Sequence, residues 1–196
     1  MADTRSGRSR SGRRRTDDHE RRSWDRKAGL GPERLTLGGS REWICSRATG
    51  SVLEVAIGSG LNLAHYPDHV GLTAVDSDSQ MLSMARVRVD VPRRVSLLQA
   101  DAAQLPFAAA SFDSVVCTLA MCEFRDRSAV LAEMYRILRP GGRLLLLDHA
   151  QWRWPLHGRP ATLAVDIGFI PHRRERLRFG LIERLDARKP PEARLA

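Results

Sequence analysis

Three cysteines in 196 residues, with no C-x-x-C pair among them, argue against a disulfide framework and a zinc ribbon or finger. Cys45, Cys117 and Cys122 are odd in number, and reduced thiols are the expectation in a cytosolic protein. No apolar run approaches the roughly 20 residues needed to span a bilayer. The stretch from Arg5 to Arg26 has no apolar h-region of a secretory signal, so the expected location is cytoplasmic. Aromatic residues make up only 6% of the chain, too few to line a cleft with the stacking platforms of a nucleic-acid enzyme. Lysine is almost missing: Lys27 and Lys189 are the only two among 32 basic residues. A GC-rich genome would account for that bias without invoking arginine's bidentate chemistry.

What is present suits one core and not two: 42% of the residues are hydrophobic over a length typical of a single domain. The net charge of +9 is unevenly spread. Residues 1–27 hold ten Arg/Lys against five Asp/Glu, residues 28–150 twelve against thirteen, and residues 151–196 ten against five. The middle is therefore nearly neutral and the basic character lies at the ends. Residues 1–22, with Arg13, Arg14 and Arg15 among Ser, Gly and Asp, cannot bury enough apolar area to fold and read as a disordered basic arm. A folded domain is expected over 23–190 and a short tail over 191–196.

The most informative stretch is Val52-Leu53-Glu54-Val55-Ala56-Ile57-Gly58-Ser59-Gly60. Its continuous aliphatic character is that of a parallel strand covered on both faces, and Gly58 and Gly60 then give permissive backbone at a turn. A second apolar run, Gly71 to Val75, delivers Asp76 to the carboxyl end of a neighbouring strand, where open α/β sheets bind ligands. A dinucleotide fingerprint requires a third glycine at the sixth position from Gly58, and Leu63 stands there. The nicotinamide reading fails on that residue.

Taken singly, these features also have plain structural explanations. Gly58 and Gly60 can be an ordinary strand-to-helix turn. Asp76 or Asp101 can be a helix cap or a solvated loop residue. Arg139-Pro140-Gly141-Gly142 stops a helix whatever the chain does. Their order along the chain carries more. Asp76-Ser77-Asp78 leads into a helix containing Met81; a strand Leu97–Ala102 ends with Asp101; Leu105-Pro106-Phe107 and Ser111-Phe112-Asp113 follow; a helix from about Ser128 to Leu138 precedes a strand from Arg143 to Asp148.

Over residues 52–148 this succession resembles the class I S-adenosylmethionine (SAM) methyltransferases, closest to the methyltransferase-11-like group of ubiquinone and menaquinone biosynthesis and phosphatidylethanolamine N-methylation. Ala56 stands where that family's glycine loop has its first glycine. The resemblance implies a Rossmann-like, doubly wound α/β fold with a mostly parallel seven-stranded sheet and an antiparallel carboxyl-terminal hairpin. It implies SAM as cofactor, no metal, and a small or lipid-like methyl acceptor with peripheral membrane contact left open. Its site residues carry over as Glu54, Ala56, Gly58 and Gly60 at the methionine end, Asp76 and Ser77 at the ribose, and Met81, Asp101 and Ala102 at the adenine. Cys117 and Cys122, after the fourth strand, are pocket-wall candidates by position, with plain packing as their alternative role, and His149 is the candidate general base, with a strand-end hydrogen bond as its alternative role.

Other expectations follow the same resemblance. Ser23-Trp24-Asp25-Arg26 looks like the start of a lid helix, and Ser40 to Cys45 is the helix before the first strand. The segment after Asp148 looks shortened relative to the family's acceptor segment. Residues 173–188 fit either a hairpin around Gly180 or a basic helix striped by Leu177, Leu181, Ile182 and Leu185, and the resemblance favours the hairpin. The lack of an Asn/Asp-Pro-Pro-Tyr motif argues against methylation of adenine amines in DNA. Two further classes stand as alternatives: a SAM-binding protein that no longer catalyses, and a nucleic-acid-binding methyltransferase using both basic ends.

Overall fold

The computed structural model describes residue 37 and residues 39–89, 95–150 and 159–192. The expected arm at 1–22, the lid segment at Trp24 and the segment at 151–158 lie outside the described residues. The described residues from Gly39 onward form one compact unit.

That unit is built on a seven-stranded sheet: β1 (Ser51–Val55), β2 (Gly71–Asp76), β3 (Val95–Gln99), β4 (Phe112–Thr118), β5 (Leu138–His149), β6 (Ile170–Leu177) and β7 (Ile182–Arg188). Its helices are α1 (Ser40–Cys45), α2 (Ser79–Arg88), α3 (Arg127–Ile137) and α4 (Pro160–Ile167). The strand order is β3-β2-β1-β4-β5-β7-β6. The first five strands pair in parallel, and β7 runs antiparallel to both β5 and β6. This is the Rossmann-like sheet that the motif order implies. The order reverses between β1 and β4, which places a crevice at their carboxyl ends.

Local chemistry explains the boundaries. Central strands β1 and β4 are buried along almost their whole length, as a sheet covered on both faces requires. Helix α2 starts where the Asp78 side chain accepts from the Gln80 N–H at 2.7 Å, and α3 where Asp126 accepts from the Ala129 N–H at 2.9 Å. Strand β3 ends at Gln99, two residues before the expected Asp101. Asp101 instead accepts the Ala103 N–H at 2.8 Å in a local turn, which draws the chain out of the ladder.

Two parts of the family-like signature turn out to be structural ties. Asp113 accepts the Ser51 N–H at 2.8 Å and the Arg139 guanidinium at 2.6 Å, joining the start of β1 to β4 and to the entry of β5. The Leu105-Pro106-Phe107 loop is pinned to α3: Leu105 N–H donates to Glu133 at 2.8 Å, and Arg136 donates to the Phe107 and Leu105 carbonyls at 2.8 and 3.0 Å. Residues 173–188 form the hairpin, because β7 pairs with β5 and buries Ile182, Leu185 and Ala187. Among the described residues, no helix is long and apolar enough to cross a membrane.

Candidate functional site

At the β1/β4 crevice lies a cavity of about 480 Å³, a volume suited to a small-molecule ligand. Its walls come from five places: Ala56 to Ser59 after β1, Val75 to Asp78 at the end of β2, Met81 on α2, Ala100 to Ala102 after β3, and Thr118 to Ala120 after β4. Arg41, Leu61, Glu123 and Phe124 complete the lining among the described residues.

Asp76 is the polar centre. Strand β2 ends on it, and it is only 8% exposed. Its Oδ2 accepts the Gly58 N–H at 2.8 Å and its Oδ1 accepts the Asp78 N–H at 3.0 Å. Two backbone donors therefore fix the carboxylate's orientation at the cavity wall. Gln99 donates to the Ser77 carbonyl at 2.9 Å and holds the adjoining turn.

The two glycines have different tasks. Gly58 has φ +56°, and a Cβ built there meets nothing within 4 Å, so its open side belongs to the cavity. Gly60 has φ +82°, and a Cβ there would stand 3.1 Å from the Ala85 backbone of α2. It serves close packing of loop on helix and does not line the cavity.

Ala56 lines the cavity with φ +56°, a left-handed conformation that costs an L-residue about 1–2 kcal/mol and that glycine adopts freely. Ala56→Gly should therefore leave stability unchanged or raise it by up to about 1 kcal/mol, after allowance for the looser unfolded chain. Chemical denaturation measures this. A loss above 1 kcal/mol would show that the methyl group is needed for packing. Leu119, also in the lining, is likewise left-handed at φ +56°, so the wall after β4 stores strain as well.

Beneath the glycine loop lies a polar network. Glu54 on β1 is buried and accepts from Asn62 Nδ2 at 2.7 Å and from the Tyr66 hydroxyl at 3.0 Å. Asn62 also donates to Thr118 Oγ1 at 2.8 Å and accepts from Arg41 at 2.7 Å. Burial raises the Glu54 carboxyl to about 7, although the Asn62 and Tyr66 hydrogen bonds pull the other way. Arg41, Asn62, Tyr66 and Thr118 carry no local motif, and their sequence spacing gave no signal of this network.

Of the sequence-derived candidates, Ala56, Gly58, Asp76, Ser77, Met81, Asp101 and Ala102 come together in the lining, whereas Glu54, Gly60, Cys117 and His149 do not reach it. Cys117 is wholly buried in β4, paired opposite Val55 and Leu146, and its neighbour Thr118 supplies the wall. Burial holds its thiol well above the ordinary range.

His149 closes β5, with Nδ1 3.5 Å from Asp148 Oδ1. Asp148 is buried and accepts the Met121 N–H at 2.8 Å and the His149 N–H at 2.7 Å. Its hydrogen bond raises the His149 pKa above 6.5, against partial burial. Cys122 lies beside the pair, with the three potential ligand atoms within 4.8 Å of one another.

A protein-family model described as "Methyltransferase domain" matches residues 53–146. The demethylmenaquinone methyltransferase of Deinococcus radiodurans is 36% identical over 125 residues, covering 58% of this chain and 52% of that protein. The phosphatidylethanolamine N-methyltransferase of Cereibacter sphaeroides is 34% identical over 119 residues, covering 59% of each. The chain thus spans between half and three-fifths of the length of these relatives. Among solved structures, a chain of the complex between the Haloferax volcanii Trm112 methyltransferase activator and a methyltransferase superposes with a TM-score of 0.70 at 19% identity. That match covers 87% of this chain and 98% of that one. The [4+2]-cyclase SpnF superposes with a TM-score of 0.67 at 18% identity over 79% of this chain and 80% of its own, so the fold is shared across different chemistries.

Proposed function

We propose that this chain binds SAM in the cavity and transfers its methyl group to a small or lipid-like acceptor, a reading supported by the methyltransferase-domain match over residues 53–146. The observation that carries the reading is Asp76. Its carboxylate is fixed at the end of β2 by the Gly58 and Asp78 amides, beside an open backbone at Gly58. The residues fit the cofactor. Asp76 offers an oriented acceptor for two ribose hydroxyls, and the space that a Gly58 Cβ would fill admits the methionine portion. Met81 and Ala102 give an apolar surface for a base, with Asp101 at its edge. Glu54 acts from below, holding Asn62 and through it Arg41 against the cavity wall.

When bound, SAM supplies a methyl group already activated by the sulfonium. The protein's contribution is then to orient the acceptor, exclude water and accept a proton where the nucleophile carries one. His149, on the same strand-end edge and set by Asp148, is the proposed proton acceptor. The similarity to a demethylmenaquinone methyltransferase and a phosphatidylethanolamine N-methyltransferase supports an acceptor of lipid-like character. The position of His149 outside the cavity lining favours, as second reading, SAM binding without efficient transfer. Formation of methylated product from a quinol or amine acceptor supports the first reading, and its absence with SAM still bound supports the second.

Asp76→Ala should weaken SAM binding by about 2 kcal/mol, or roughly thirtyfold, the worth of a charge-assisted hydrogen bond. It should also lower stability by about 1 kcal/mol, because the Gly58 and Asp78 amides lose their acceptor. Titration calorimetry on protein shown to be folded separates the two. Unchanged SAM affinity would remove Asp76 from the site and with it the main support for this reading.

A further inference from the structure

The β6–β7 hairpin turns through Arg178, Phe179 and Gly180 with φ of 54°, 57° and 84°. Hydrogen bonds from Gly180 N–H to the Leu177 carbonyl and from Leu181 N–H to the Arg178 carbonyl, both 3.1 Å, close it. Positive φ at two successive central positions is the requirement that Asn-Gly meets at low cost in hairpins. Arginine and phenylalanine meet it under strain, and the strain displays an aromatic ring to water: Phe179 is fully exposed and Leu181 is 54% exposed. Packing within the described residues gives no reason for this choice. Strained backbone that holds an apolar side chain outward marks a contact surface.

The surroundings identify the partner. Residues 174–184, which flank the turn, hold four arginines against Glu175 and Glu183, a net charge of +2. The turn also lies on the functional edge of the sheet. Ala150 N–H donates to the Leu181 carbonyl at 2.8 Å and His149 pairs opposite Ile182, while Leu119 of the cavity wall donates to the Leu147 carbonyl at 2.7 Å. The tip and the cavity therefore share the carboxyl-end edge of β4 and β5. A symmetric contact with a second copy would set +2 against +2. An anionic bilayer offers both an apolar interior for the tip and charge opposite to the arginines.

We propose that the β6–β7 turn is an interfacial anchor that inserts Phe179 and Leu181 into an anionic lipid surface, with the arginines beside the turn against the headgroups. The anchor presents the cavity edge to the bilayer. Its purpose, access to a lipid-like acceptor, rests on the function proposed above; its geometry does not.

Flotation of the full chain with vesicles of equimolar phosphatidylglycerol and phosphatidylcholine, against phosphatidylcholine alone, tests it. The expected result is binding to the anionic vesicles that falls with added salt and drops roughly tenfold or more in the Phe179→Ser/Leu181→Ser variant. A second variant, Arg178→Asn/Phe179→Gly, should lose binding as well while its melting temperature stays level or rises, because the turn then has its preferred residues. Equal vesicle binding by wild type and variants, or no binding by wild type, overturns the proposal. So does a concentration-dependent dimer that both variants abolish. SAM affinity measured alongside should be unchanged in the variants. Loss of vesicle binding with SAM affinity intact speaks only to the anchor, whereas a wild type that binds vesicles but not SAM defeats the methyltransferase reading and leaves the anchor standing.

Discussion

Gly58→Val should abolish SAM binding, a loss of more than about a hundredfold. Two effects add. Valine at φ +56° would face a steric cost of roughly 1–2 kcal/mol that glycine avoids, and more for a β-branched side chain. Relieving that strain would move the Gly58 N–H away from Asp76 Oδ2, now 2.8 Å distant, and free the carboxylate from one of its two backbone donors. In addition, no protein atom lies within 4 Å of a Cβ at this position, so the branched side chain would project into the cavity that the ligand must fill. Gly58→Ala should fall between wild type and valine, since it brings a methyl group without the branch. Calorimetric titration with SAM, after circular dichroism has shown a folded variant, decides the matter. Normal SAM affinity in folded Gly58→Val protein would mean that the loop does not touch the cofactor.

His149→Ala should lower turnover about a hundredfold with little change in SAM affinity, because proton removal matters only during transfer. The pairing with Asp148 gives this prediction a pH signature. The His149 pKa is raised by that partner, so the neutral imidazole able to accept a proton accumulates only as pH climbs through the raised value, and turnover should rise over that range. Stability runs the opposite way. A raised histidine pKa contributes stability that is full below the unfolded value near 6.5 and is lost as pH rises through the folded one. Glu54 has the same sign, its contribution being full below about 4.5 and lost as pH rises through about 7. Between them, these two groups lower the melting temperature from mildly acidic to mildly alkaline pH while activity climbs. In His149→Ala the histidine part of both slopes should vanish. Turnover and stability that fall only in parallel, with an unchanged pH–rate profile, would reduce His149 to a strand-end residue tied to Asp148.

The chain's own residues determined the order of strands and helices, the emergence of Asp76 at the end of β2, and the glycine turn after β1, because each depends on neighbours a few positions apart. Continuous aliphatic runs make doubly covered strands, and Asp78 and Asp126 cap helices within three residues. Tertiary structure alone decided what depends on distant partners. The Glu54–Asn62–Thr118 and Arg41 contacts join residues 8 to 77 apart, and no local spacing encodes them. Gly58 and Gly60 look alike as letters and were separated only by what stands opposite each: open cavity for one, the α2 backbone for the other. Cys117 and Thr118 are adjacent, and only the register of β4 between β1 and β5 showed that the cysteine is packed inside while the threonine faces the cavity. Residues 173–188 carried an apolar pattern that suits a helix or a hairpin. The pairing of β7 with β5 settled it, because only an antiparallel strand there buries Ile182, Leu185 and Ala187 against the sheet's edge.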